Sequence, residues 1–403
     1  MEKEEFIKKY AVERRNTNSS KWDGLESQFG ETDLLPLWVA DTEFKVPEAA
    51  RKALVERVEH GVFGYSLVPD SYYEAYFNWQ KERYGIELHK DWMRFGTGVV
   101  QSLSTLIETL TVPGEAIMVL QPVYYPFMRV IENNNRKLVI SELVNHDGHY
   151  EMDYEDIQKK MQENNVKLLI FCSPHNPVGR VWSEDELEKL LAICHDEKVR
   201  VIADEIHHDL IIGDKKFTSM LSIKDGFYRD NLVMVDAPSK TFNMASLLNS
   251  HVVIPNPQIR DLYDEVEGRL SAPQGSLLGR VAAEAAYREG AEWLDNMIEV
   301  IRDNFVYVRD ELIKAFPEIK VSDLEGTYLM WIDLSALVPA DKVEKLVKKQ
   351  AKLAVDFGDW FGESGKGHIR VNLATTPENI KKAVSALVNA CLLYTSPSPR
   401  DTR

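Results

Sequence analysis

The chain has 403 residues, a length that predicts two lobes rather than one core. Its 64 acidic and 48 basic residues give a net charge of −16, and the basic residues are scattered, which argues against nucleic-acid binding. The three cysteines show neither a CxxC pair nor metal-ligand spacing, so we expect no disulfide frame and no metal site. The charged N-terminus and the lack of a long apolar run predict a cytoplasmic protein without membrane contact.

Changes in periodicity along the chain predict its division into parts. Between residues 137 and 205, strand-like runs alternate with helical patterns, which is typical of βα units and a parallel sheet. We therefore predict an α/β fold. The predicted parts are an irregular N-terminal arm (1–44), a large domain (45–288), a smaller α/β domain (289–391) and a Ser/Pro-rich tail that is not native (392–403).

Three predicted strands end in polar residues that together suggest a binding site. These residues are Asn176 in SPHNPVGR, Asp204 in VRVIADEIHHDL and Lys240 in VMVDAPSKTFN. In an open α/β sheet such strand ends converge on one crevice, where ligands bind. An amide, a carboxylate and an amine suit a pyridine cofactor: the amine attaches it covalently, the carboxylate faces the ring nitrogen and the amide contacts the ring hydroxyl. Taken alone, Lys240 could instead be a solvated loop lysine.

A glycine-containing turn predicts a phosphate site. The stretch MRFGTGVVQSLSTLIETL passes from a strand through two glycines into a helix. Backbone N–H groups at a helix N-terminus bind phosphate, which makes Thr97, Gly98, Val99 and Val100 candidates for this contact.

These motifs, together with LPLWVADTEF near the N-terminus and HIRVNLA near the C-terminus, resemble the fold-type I pyridoxal-phosphate (PLP) enzymes of the class I/II aminotransferase group. The resemblance runs from Leu35 to Ala374 and is strongest to the cystathionine β-lyase branch, which includes the maltose-regulon modulators. It implies PLP as the cofactor, a large domain with a mainly parallel seven-stranded sheet between helices, and a smaller α/β domain.

The resemblance also implies roles for individual residues. Lys240, Asp204 and Tyr124 would be catalytic, with Tyr124 stacked on the cofactor ring. Tyr65 would reach the cofactor phosphate of a partner subunit, which implies a homodimer with shared active sites. The implied cofactor-binding residues are Lys240, Asn176, Asp204, His207, Tyr124, Val99, Val100, Ser239 and Tyr65. The implied substrate-binding residues are Asn176, Ala40 in the stretch Val39 to Asp41, and Arg370, which would bind the α-carboxylate of an amino acid.

Some residues depart from the family pattern or look structural. Ala237 replaces a hydroxyl, and Leu248 replaces an arginine, that bind phosphate in related enzymes. Asp236 puts an acid where this branch often has threonine, which predicts repulsion of the phosphate. We predict that His175 is a structural loop histidine and that His208 and Asp209 are packing or surface residues.

The resulting hypothesis is a PLP-dependent carbon–sulfur β-lyase that converts cystathionine or another S-substituted cysteine to a thiol, pyruvate and ammonia. The DEIH and SKTFN motifs and the missing phosphate arginine favour the lyase, and no second arginine matches one for a dicarboxylate side chain. The alternatives are a class I/II aminotransferase and a lyase-like protein whose role is regulatory binding to a transcription factor.

Overall fold

The computed structural model describes residues 1–395, which form helices and strands along most of their length. The α-helices are α1 (Lys3–Tyr10), α2 (Ser20–Asp23), α3 (Leu25–Phe29), α4 (Glu48–His60), α5 (Asp70–Tyr84), α6 (Val99–Leu110), α7 (Pro126–Asn133), α8 (Tyr154–Glu163), α9 (Glu184–Asp196), α10 (Pro238–Thr241), α11 (Pro257–Leu270), α12 (Leu277–Glu289), α13 (Ala291–Ala315), α14 (Ala340–Lys345) and α15 (Pro377–Thr395). The strands are β1 (Leu35–Pro36), β2 (Met93–Gly96), β3 (Ala116–Gln121), β4 (Lys137–Glu142), β5 (Val144–His146), β6 (His149–Glu151), β7 (Val166–Cys172), β8 (Arg200–Asp204), β9 (Leu232–Asp236), β10 (Ser250–Val253), β11 (Lys320–Val321), β12 (Leu329–Asp333), β13 (Leu353–Ala354), β14 (Asp356–Phe357) and β15 (His368–Asn372).

The large sheet has seven strands in the order β2-β10-β9-β8-β7-β3-β4. Five neighbouring strands, β9 to β4 in this order, run parallel, whereas β10 is antiparallel to both of its neighbours. Alternate side chains of one strand enter two apolar layers: Ile202 packs with residues of α6 and α11, whereas Val201 and Ala203 belong to the larger core on the other face. The predicted α/β fold with a mainly parallel seven-stranded sheet between helices is therefore confirmed.

A second sheet lies in the C-terminal part of the chain. It is antiparallel, with the order β11-β12-β15-β14. The sequences GTYLMWIDL and HIRVNLA supply β12 and β15, as their apolar runs predict. The predicted boundary at residues 288–289 lies where α12 ends and the long helix α13 begins, but the division into domains stays a prediction.

Local signals set several helix ends. Gly61 follows α4 with a φ of 75°, a left-handed conformation that favours glycine at a helix C-terminus. Ser183 and Glu186 form the predicted capping box at the start of α9. No helix among residues 1–395 is long and apolar enough to span a membrane.

The structure differs from the predicted N-terminal arm. The arm contains three helices rather than irregular chain, because spacings such as Phe6 to Tyr10 place aromatic rings on one face of α1, against Phe44 and Trp293. At the other end of the chain, α15 continues to Thr395, and the non-native tail from residue 392 stays a prediction. Residues 396–403 of that tail lie outside the described part of the chain.

Candidate active site

The residues predicted to converge do lie at one edge of the large sheet. Strand β8 runs between β7 and β9 and is parallel to both, so the segments that follow these three strands leave the sheet at the same edge. Asn176 follows β7, Asp204 ends β8, and Lys240 lies in α10 just after β9. Asp204 lies two residues after Ile202, and its side chain therefore points to the face covered by α6.

Lys240 is half-buried and contacts the N-terminal arm. Its Nζ donates a hydrogen bond of 2.7 Å to the carbonyl oxygen of Ala40, which also accepts one of 2.9 Å from the hydroxyl of Tyr328. Burial lowers the pKa of Lys240 to about 8, although Asp41 opposes this shift. An amine with such a pKa is partly neutral near pH 7, and the neutral form is the nucleophile and base.

Asp204 is buried without a cationic side-chain partner among the described residues. Its Oδ1 accepts a hydrogen bond of 3.1 Å from the backbone N–H of Ile206. Burial raises the pKa of Asp204 to about 7, Asp236 adds to the shift and Lys240 opposes it. A buried carboxylate that lacks a paired cation fits a protonated ring nitrogen, which would supply the missing charge.

Arg370 links Asn176 to a carboxylate that the sequence did not reveal. Its Nη1 donates a hydrogen bond of 2.9 Å to Oδ1 of Asn176, and its Nη2 donates one of 3.2 Å to the carbonyl oxygen of Trp38. Nη2 also donates to Asp356, which lies opposite Arg370 in the register of β14 and β15. The guanidinium stands over the ring of Phe361, 5.0 Å from its centroid.

Two ring side chains line the site near Asp204 and Lys240. Tyr124 is half-buried and packs edge-on against Phe127, and burial raises its pKa. His207 is buried, and its Nδ1 has no hydrogen-bond partner among the described residues. Burial lowers the pKa of His207 well below its usual value, and Lys240 contributes, which keeps the imidazole neutral.

The predicted phosphate contacts lie at the start of α6 and in α10. The N–H of Thr97 already donates to Oε1 of Gln101 at 3.2 Å, so the first-turn N–H groups of Val99 and Val100 are the better candidates. Ser239 is half-buried beside Lys240. Leu248, in place of the family's arginine, has an exposed side chain that carries no charge.

Asp236 does not face the predicted phosphate position. Ala237 packs in the apolar layer that contains α6, so Asp236, one residue earlier, points to the other face of the sheet. There its carboxylate lies 2.6 Å from Nδ1 of His251 and accepts a hydrogen bond of 2.9 Å from the hydroxyl of Tyr76. Burial opposes ionisation, but His251 and Tyr76 outweigh it and lower the pKa of Asp236. Asp236 therefore lies on the face of the sheet opposite α6, and the repulsion of the phosphate stays a prediction.

The predicted loop histidine and the two predicted packing or surface residues are buried in hydrogen-bond networks. His175 contacts the carbonyl oxygen of Pro122 through Nε2 at 2.9 Å. Asp209 accepts hydrogen bonds from Trp79, Tyr84 and Thr241, and His208 contacts Gln80.

Two asparagines that were not predicted as site residues hold the backbone around Ala40. Asn243, in the SKTFN motif, accepts a hydrogen bond of 3.1 Å from the N–H of Thr42 and donates to the carbonyl oxygens of Thr42 and Phe44. Asn372, in HIRVNLA, donates hydrogen bonds of 2.7 Å to the carbonyl oxygens of Val39 and Asp41. Both asparagines belong to motifs that carry the family resemblance, and that was the available signal.

Tyr65 lies away from these residues in the single chain. It is fully exposed in the irregular segment between α4 and α5, where Val62, Phe63 and Leu67 are exposed as well. Its predicted contact with a cofactor therefore depends on a second subunit.

A parallel-sheet edge that joins a lysine, an aspartate and an asparagine is typical of PLP-dependent α/β enzymes. A sequence profile described as aminotransferase class I and II matches residues 32–387, and the chain belongs to this family.

Three individual proteins are similar to this chain along most of its length. The chain is 37% identical over 380 residues to cystathionine β-lyase PatB of Bacillus subtilis (strain 168), with 93% of this chain and 98% of PatB covered. It is 32% identical over 382 residues to protein MalY of Escherichia coli (strain K12), with 94% of this chain and 97% of MalY covered. The crystal structure of cystalysin from Treponema denticola, which contains a pyridoxal 5′-phosphate cofactor, is similar with a TM-score of 0.90 and 37% identity, covering 94% of this chain and 97% of cystalysin.

Proposed function

We propose that the protein is a PLP-dependent carbon–sulfur β-lyase, which cleaves cystathionine or another S-substituted cysteine to a thiol, pyruvate and ammonia. The observation that carries this proposal is that Lys240 and the buried Asp204, which has no ion-pair partner among residues 1–395, lie at one sheet edge. The similarity to cystathionine β-lyase PatB supports the reaction type.

The side chains fit PLP in charge and in position. Lys240 would attach it, Asp204 would pair with its ring nitrogen, Asn176 would contact its ring hydroxyl and Tyr124 would stack on its ring. The first N–H groups of α6 would donate hydrogen bonds to its phosphate. The further contacts proposed are His207 and Ser239 of the same chain, and Tyr65 of the partner subunit. When bound, PLP supplies an electron sink for the charge that develops at the substrate Cα.

The side chains of the chain itself would bind the substrate and move its protons. Arg370 and Asn176 hold the α-carboxylate, which fixes the orientation of the Cα–H bond. Once the substrate amine has displaced Lys240 from PLP, the freed amine of Lys240 would remove the proton from Cα, since burial keeps a fraction of it neutral. The Cβ–S bond would then break, and the protonated Lys240 would return a proton to the sulfur, which leaves as a thiol. Water completes the reaction, which releases pyruvate and ammonia.

A coupled pyruvate assay with cystathionine tests this function. We expect pyruvate to form at the same rate with and without an added keto acid, and Lys240→Ala provides the blank. Turnover that strictly requires the keto acid would assign the protein as an aminotransferase. Bound PLP without any turnover would instead favour the regulatory alternative, for which a pull-down from cell extract is the direct test.

We further propose a homodimer, with a second copy of the chain against the exposed segment 61–69. Apolar side chains in this segment are exposed in the single chain, and the side chain of Tyr65 among them is fully exposed. A soluble monomer seldom leaves such a run uncovered.

The buried thiols of Cys172 and Cys194 suit a reducing compartment, and we propose a cytoplasmic location.

A further inference from the structure

The guanidinium proposed to bind the substrate carboxylate is already shared with a carboxylate of the protein. Arg370 and Asp356 are only 3% and 1% exposed, and Nη2 of Arg370 donates to Oδ2 of Asp356. Two polar atoms at this pair have no hydrogen-bond partner within residues 1–395: Nε of Arg370 and Oδ1 of Asp356. Arg370 therefore has a donor available for a ligand, and it lies beside a carboxylate whose hydrogen bonds are incomplete.

A substrate α-carboxylate at Arg370 would create a buried group of two negative charges and one positive charge. Such an arrangement is unfavourable, because a buried charge needs its own partner and the two carboxylates repel each other. Uptake of one proton by Asp356 removes the excess charge. The protonated carboxyl group also becomes a hydrogen-bond donor, which gives its unpartnered oxygen a role in the bound state.

We propose that Asp356 is a positioning residue for Arg370 that couples the binding of the substrate α-carboxylate to the uptake of one proton from solvent. This inference rests on the proposed role of Arg370 as the carboxylate-binding residue. It makes substrate affinity a function of pH, through a residue that need not touch the substrate.

The groups around Asp356 set the direction of this dependence. Burial raises the pKa of Asp356 to about 6, although Arg370, the charged group that faces it across the strand pair, opposes the shift. The neighbouring titratable groups are the hydroxyls of Tyr124 and Tyr125, and burial raises the pKa of both. A second carboxylate at Arg370 would raise the pKa of Asp356 further. Because the protonated form becomes rarer as the pH rises, carboxylate affinity should fall from about pH 6 upwards.

The experiment is a calorimetric titration of the holoenzyme with 3-(methylsulfanyl)propanoate, a thioether acid without an amino group to react. For the unmodified protein we expect the affinity to fall by about tenfold between pH 6 and pH 8, which corresponds to a mean uptake of about half a proton per site over this range. Proton uptake is obtained from titrations in two buffers with different ionisation enthalpies. This measurement needs no variant.

Two variants isolate Asp356 from the cofactor and from Lys240. Asp356→Asn keeps the side-chain shape but cannot ionise, so its proton uptake should disappear and its affinity at pH 8 should exceed that of the unmodified protein by about tenfold. Asp356→Glu keeps a carboxylate and should retain proton uptake. Equal pH profiles for the unmodified protein and Asp356→Asn, or binding to the unmodified protein without proton uptake, would overturn the proposal.

Arg370→Lys separates this inference from the proposed function. If this variant binds the probe as tightly as the unmodified protein, Arg370 does not bind the carboxylate and the proposed substrate site itself fails. If probe binding is lost in Arg370→Lys but the pH profile is unchanged in Asp356→Asn, only the role of Asp356 fails.

Discussion

The carboxylate of Asp204 is costly to bury, because it has no cationic side-chain partner in the described part of the chain. Its pKa is raised to about 7, above the value of an unfolded aspartate. A carboxyl group with a raised pKa stabilises the folded state most at low pH, and that contribution is lost as the pH rises towards 7. Asp204, which we propose binds the ring nitrogen of PLP, therefore destabilises the folded chain unless a cation pairs with it.

We predict that Asp204→Asn raises the melting temperature of the cofactor-free protein at pH 8 and weakens PLP binding. The amide removes the buried charge, which stabilises the empty chain, but it cannot neutralise a protonated ring nitrogen. Thermal unfolding and PLP titration check the two effects. Glu205, whose pKa is also about 7, is present in both proteins, so it does not cause a difference between them. A lower melting temperature for the cofactor-free variant would contradict this account.

The proposed pairing of Asp204 with the ring nitrogen of PLP predicts the kinetic effect of Asp204→Ala in the PLP-bound enzyme. Because the protonated ring matters most when charge develops at Cα, kcat should fall far more than KM changes. Steady-state pyruvate assays measure both constants. A rise in KM with normal kcat would assign Asp204 to substrate binding instead.

For Lys240 we predict covalent attachment of PLP. Its Nζ lies at the site edge with a lowered pKa, and borohydride reduction followed by peptide mapping should place a pyridoxyl group on this residue alone. Lys240→Ala should bind PLP reversibly, without a reduced adduct. An adduct on another lysine would exclude the assignment.

The convergence of Lys240, Asp204 and Asn176 at one sheet edge was predictable from the sequence, because each of them ends or follows a predicted strand. Asp356 was not predictable, because its pairing with Arg370 depends on the register of β14 and β15, which 10 residues separate. Ala40 contributes its carbonyl oxygen, which every residue has. Its role was implied by the family resemblance and could not be derived from side-chain chemistry.

At the scale of elements, the face that a residue takes was harder to predict than the element itself. Strand β9 is buried on both faces, and its run LVMVD shows no alternation that would place Asp236 on either one. The parallel order followed from alternating strands and helices. The helices of the N-terminal arm were missed because they are short, and α1 is held by contacts with Trp293, far away in the sequence.

The connection between α10 and the arm makes a prediction about Asn243. This residue has a φ of 60° and makes three hydrogen bonds to Thr42 and Phe44. Asn243→Ala should destabilise the protein by about 3 kcal/mol, from lost hydrogen bonds and a strained left-handed backbone. Asn243→Gly keeps the favourable backbone and should lose about 1 kcal/mol less.

Thermal unfolding and the rate of proteolysis within residues 1–44 measure this effect. Both variants should expose the arm, and the activity of both should fall because the carbonyl oxygen of Ala40 is no longer held beside Lys240. If proteolysis is unchanged in both variants, Asn243 does not hold the arm.

For the whole molecule, the segment 61–69 is the feature that a single chain leaves unexplained. Leu67 is 91% exposed, and the side chain of Tyr65 is fully exposed. We predict that the unmodified protein is a dimer and that Leu67→Lys, which places a charge in the proposed interface, shifts it to monomer and weakens PLP binding. Val112→Lys is the matched control, because Val112 is also exposed but lies outside this segment. Light scattering after gel filtration measures the oligomer and cofactor titration measures PLP binding.

Tyr65→Phe should keep the dimer and lose PLP affinity alone. Normal PLP binding by a monomeric Leu67→Lys protein would show that each chain completes its own site.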